Sequence, residues 1–65
     1  MKVVFIVVHT YETDNKVYVF EDLDKAKAKW EFEITYAWDK KGYYDGKYKY
    51  IGNHETVELV KKGIR

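Results

Sequence analysis

Few side chains in this 65-residue sequence could do chemistry. His9 and His54 are its two histidines, and there is no Cys and no Ser, so the common catalytic nucleophiles are missing. No glycine-rich phosphate loop and no His-x-x-x-His pair occurs. Glu31 and Glu33, two apart, share one face of a strand but fall on different sides of a helix, and carboxylates so placed read as a solvated surface. His9 at a strand end and His54 after a turn read as structural residues. A chain this short also offers little room for a pocket of about 300 Å³ or more. The expectation is therefore no enzyme, no catalytic residue, no metal and no cofactor.

Binding is the remaining chemistry, and two constellations could supply it. Phe32 and Tyr36 stand four residues apart; on a helix they share the solvent side, opposite Trp30 and Ile34, and are candidate anchors for a partner protein. On a strand the same two rings would be core. Tyr43, Tyr44, Lys47, Tyr48, Lys49 and Tyr50 form a second set, in which rings could stack on bases of single-stranded nucleic acid while amines meet phosphates. The plainer reading is a solvent-facing edge strand whose lysines discourage edge-to-edge pairing. Net charge is only +1, which favours the plainer reading because such binding is largely electrostatic. Residues 1–39 carry 5 basic and 8 acidic side chains, net −3, whereas residues 40–65 carry 7 and 3, net +4.

The elements that must position these residues follow from patterning. Lys2 to Tyr11 reads as a strand, apolar on both parities: Val3, Phe5 and Val7 on one face, Val4, Ile6 and Val8 on the other. Glu12 to Lys16 is a polar break, and Val17 to Phe20 completes a hairpin. From Glu21 to Lys41 two periods compete. Leu23, Ala26, Trp30, Ile34, Ala37 and Trp38 fall on one face of a helix with Asp22 as N-cap and Gly42 at C′. Trp30, Phe32, Ile34, Tyr36 and Trp38 equally alternate as in a strand, with residues 39–42 as its hairpin loop. The cap residues and the Ala-Lys-Ala-Lys entry favour the helix. Tyr43 to Lys47 reads as a loop, Tyr48 to Ile51 as a third strand, Gly52-Asn53 as a type II′ turn, Thr56 to Val60 as a fourth strand and Lys61 to Arg65 as a basic tail.

The expected architecture is α+β: one domain over residues 1–65 with a single antiparallel sheet of three to four strands (β-β-α-β-β) and one helix packed on one face. That helix covers only one face of the first strand, so Val4, Ile6 and Val8 either wait for a partner or lie under a terminus or loop. With no disulfide available, dense aromatic packing at 18 % aromatic content or self-association must stabilise so small a core. The longest apolar run, Val3 to Val8, is too short for a membrane span or a signal-peptide core, which makes a cytoplasmic protein the expectation.

The order of elements, with a helix opening Phe20-Glu21-Asp22-Leu23-Asp24-Lys25-Ala26-Lys27 and a last strand ending Val57-Glu58-Leu59-Val60, resembles small accessory proteins of phages and other mobile elements. The resemblance implies a stand-alone protein that binds a host macromolecule, for example as an inhibitor of a defence or regulatory protein. It carries no site motif, so no functional residue follows from it. The leading expectation is a non-enzymatic protein-binding module whose partner is a host protein or a second copy, using Phe32, Tyr36, Val4, Ile6 and Val8. A small single-stranded nucleic-acid binder is the alternative.

Overall fold

A computed structural model describes residues 2–37 and 41–64. The apolar, β-branched start of the chain forms β1 (Lys2–Tyr11), which turns back into β2 (Asn15–Phe20). The Tyr11 N–H donates to the Asp14 carbonyl at 2.6 Å and closes that turn. Helix α1 (Leu23–Thr35) then crosses one face of the sheet. Three further strands follow: β3 (Tyr43–Tyr44), β4 (Lys49–Ile51) and β5 (Glu55–Ile64). All neighbours are antiparallel, in the order β2-β1-β5-β4-β3. The helix thus carries the chain from the β2 edge to the β3 edge, and the long strands β1 and β5 pair at the centre from Lys2↔Ile64 to Tyr11↔Glu55.

The fold is α+β with one helix on one antiparallel sheet, and the sheet has five strands where three to four were expected. The additional strand comes from Tyr43 and Tyr44, which pair with Ile51 and Tyr50 instead of forming a loop. The Asp45 N–H bonds the Lys49 carbonyl at 2.8 Å, and Gly46, at φ 79°, supplies the left-handed residue of that connection. The supposed basic tail is strand as far as Ile64, because β1 offers it a full-length pairing edge. Gly52-Asn53 is not a type II′ turn: that turn needs positive φ at its first central residue, and among the described residues only Gly46 has one. Gly52 instead donates to the Glu55 carbonyl across a three-residue connection.

Between the two periods that competed over the central stretch, the helix prevails. Asp22 is its N-cap, accepting from the Asp24 N–H at 2.9 Å. It ends sooner than expected, with Tyr36 as C-cap, so Gly42 is not its C′ residue. The readings placed on Trp38, Asp39, Lys40 and Arg65 lie outside the described residues. Ala26 and Trp30 bury the inner stripe against Val7, Val57 and Leu59, with Phe5, Tyr18, Phe20, Ile34 and Tyr48 packed around them. The odd-numbered residues of β1 therefore face the helix and Val4, Ile6 and Val8 face away.

Gly42 has a different role from a helix stop. Its N–H donates to the Tyr50 hydroxyl at 3.0 Å, and a Cβ there would meet the Ile51 carbonyl oxygen at 2.5 Å and the Tyr50 ring at 2.6 Å. Backbone cannot yield as a flexible side chain does. We expect Gly42→Ala to lower stability by about 1–3 kcal/mol, the usual cost of overpacking, read as a lower urea midpoint. An unchanged midpoint would mean that this approach is not close in solution.

Candidate functional site

Helix α1 sorts its aromatic residues by angle. Trp30 and Ile34 point into the core, while Phe32 and Tyr36 stand on the outer side with 51 % and 67 % of their surface exposed. Their rings meet at 4.7 Å, tilted by 45°, as i,i+4 neighbours on one helical face do. Lys29, one turn back, holds its ammonium 4.9 Å from the Phe32 ring centroid and 4.2 Å from that of Tyr18 on β2. By helical angle Lys25 and Ala28 continue the same stripe toward the N-terminus. The outer face is thus a pre-packed aromatic pair beside the Lys29 ammonium.

A second feature is internal, and sequence reading missed it. Glu33, read as part of a solvated face, is buried, as are His9 and Glu55. His9 alternates with Phe5 and Val7 and so points under the helix. Its Nε2 lies 2.6 Å from Glu55 Oε2 and its Nδ1 3.2 Å from Glu33 Oε1. Carboxylate oxygens only accept, so an imidazolium donating from both nitrogens satisfies both contacts without a protonated carboxyl. The Tyr11 hydroxyl lies 3.4 Å from the same Nδ1, and the Tyr11 ring stacks on the imidazole at 4.3 Å. Lys29 Nζ, 3.7 Å from Glu33 Oε2, balances the remaining charge. The cluster joins β1, α1 and β5 and leaves no buried side-chain polar atom without a partner among the described residues. The available signal was that helical phase places Glu33 between the inner and outer stripes of α1. Its partner His9, 24 residues away in sequence, was invisible.

The Lys/Tyr stretch does not form one platform. Tyr43 and Tyr44 are exposed, but Tyr50 is buried and Tyr48 packs edge-on against Trp30 at 5.8 Å. Tyr44 leans on Trp30 at 6.0 Å and on Tyr50 at 5.3 Å. Lys47 lies over the Tyr48 ring at 5.4 Å, and Lys49 is half-buried on β4 opposite Glu58. Between the helix and this hairpin runs an open groove of about 500 Å³, lined by Trp30, Glu31, Ile34, Thr35, Tyr44 and Lys47.

The sheet face away from the helix is the third surface. There Val4 is buried while Ile6 and Val8 are half-buried, with exposed Val17, Val19 and Val60 beside them. Lys2 and Glu21 close one end of the face at 2.5 Å. The Lys2 ammonium hydrogen-bonds the Glu21 carboxylate and attracts its charge, which holds that carboxyl below its usual range. His54 is exposed, with Nδ1 3.8 Å from Glu12 Oε2. Among the described residues no group of three or more His, Cys, Asp or Glu is placed to hold a metal ion, and no helix is long and apolar enough to cross a membrane. No family model matches the chain, and no curated protein or solved structure matches it.

Proposed function

We propose that this chain is a non-enzymatic protein-binding module that docks through the outer stripe of α1, with Phe32 and Tyr36 as its anchors. The observation that carries this reading is their exposure as a packed pair on a helix that buries Ala26 and Trp30 on its other side. Two large rings held against each other lose little side-chain freedom on binding, and rings of this kind dominate protein interfaces. Lys25, on the same stripe by helical angle, fits a partner with an apolar pocket and an acidic rim. Inhibition or regulation of a host protein, which the resemblance to mobile-element proteins implies, is the form that such binding would take.

The test is an affinity capture from lysate of cells producing the chain, comparing wild type with Phe32→Ala/Tyr36→Ala. Neither ring supports the core, so the double variant should keep its far-UV circular dichroism and lose no more than about 0.5 kcal/mol of stability per site. Wild type should retain a stoichiometric protein that the variant loses. Equal recovery by both, or no stoichiometric protein with wild type, would sink the reading. The nucleic-acid alternative has less support, since burial of Tyr50 and packing of Tyr48 remove two of its rings. It would require oligonucleotide affinity that falls steeply as salt rises.

A further inference from the structure

We infer that the sheet face opposite the helix is the contact for a second copy of this chain, in a two-fold symmetric dimer. Register places Val19, Ile6 and Val60 in one row across β2, β1 and β5. Val17 and Val8 form the next row on one side, and Val4 lies on the other. Val17, Val19 and Val60 are 56 %, 61 % and 42 % exposed, so among the described residues no segment covers the outer part of this face. A face of this kind exposes contiguous apolar surface, which marks an interaction site.

Charge on β5 identifies the occupant. Glu58 and Lys62 lie on the same face as Val60, two residues to either side of it. Lys49 on β4 stands opposite Glu58 without closing an ion pair, and Lys62 has no ion-pair partner among the described residues. Consider a two-fold axis running along the row Val19–Ile6–Val60, between two stacked sheets. It brings Val60 onto Val60 and Ile6 onto Ile6 of the second copy, and Val8 onto its Val4. The same rotation sets Glu58 over Lys62 of the second copy, and Lys62 over its Glu58. Opposite charges meet twice, and the valines between them fill the contact. This self-complementarity under one rotation is what a symmetric interface requires. Sheets stacked face to face keep their strands aligned within about 30°, so the twist of each sheet preserves these pairings at the centre. The helix stripe bearing Phe32 and Tyr36 remains on the outside of both copies.

The experiment is sedimentation equilibrium of the purified chain across a roughly hundred-fold dilution, with charge reversal on β5. Wild type should show a species of twice 7.8 kDa that dissociates on dilution. Glu58→Lys and Lys62→Glu alone each oppose like charges and should weaken the dimer about tenfold or more. Glu58→Lys/Lys62→Glu together should restore it to within about threefold, because the pairs are re-formed with signs exchanged. Val60→Lys, at the axis, should give a monomer with an unchanged circular dichroism spectrum, which separates loss of contact from loss of fold. A monomer at every wild-type concentration overturns the proposal. So does a dimer indifferent to the single reversals, or single-variant weakening that the double variant does not repair. Phe32→Ala/Tyr36→Ala should dimerise like wild type, so failure of the helix-stripe reading and failure of the dimer are read independently.

Discussion

Replacing His9 by Ala should remove about 3–5 kcal/mol of stability, because two buried carboxylates are left facing a cavity with their shared donor gone. A domain of this size is stable by about 3–10 kcal/mol in all, so His9→Ala should be largely unfolded or close to it at 25 °C. Urea denaturation followed by circular dichroism would measure the loss. The companion experiment is sharper. His9→Leu/Glu33→Leu/Glu55→Leu removes the whole charge cluster together with its desolvation cost, and buried ion triads often tolerate such replacement. The triple variant should therefore lie within about 2 kcal/mol of wild type, or above it, despite carrying three substitutions. This non-additivity separates a buried charge network from three ordinary core residues, whose losses would accumulate. A His9→Ala variant within about 1 kcal/mol of wild type would show that the cluster is solvated in solution.

Trp30→Ala should be the second severe loss, also about 3–5 kcal/mol. The indole is the largest side chain of the core, and its Nε1–H donates to the Val57 carbonyl at 3.1 Å in the middle of the sheet. Its ring also contacts the β3–β4 hairpin through Tyr44 and Tyr48. Trp30→Phe keeps an aromatic ring but removes that donor, so it should fall between wild type and Ala. Beyond the stability loss, Trp30→Ala should free the hairpin first. Hydrogen exchange of the Tyr43–Ile51 amides should accelerate more than that of the central β1–β5 amides. Uniform acceleration across the sheet would mean that the hairpin is not separately anchored by this ring.

Much of the fold is local in origin and was readable as such. The first hairpin follows from a run of β-branched residues, a polar break and a second short run. The helix start follows from Asp22 and the alanines behind it, since a cap bond and intrinsic propensity involve only neighbours. The outward position of Phe32 and Tyr36 follows once the stretch is helical, because 3.6-residue phase alone separates them from Trp30 and Ile34.

Other features depend on partners distant in the chain. Strand β3 exists only because β4 offers Tyr43 and Tyr44 a pairing edge, and β5 runs on to Ile64 because β1 lies alongside it. Glu33 looked like a solvent carboxylate because the histidine that it meets stands in another element. Tyr48 and Tyr50 looked like a basic-aromatic surface until the sheet turned them toward Trp30. Which residues can form a helix or a strand is written in propensity and period, which act over a few neighbours. Which polar groups are buried, and which apolar rows are left outward, is set by long-range packing: the same Glu or Val is core or surface according to what the rest of the chain brings against it.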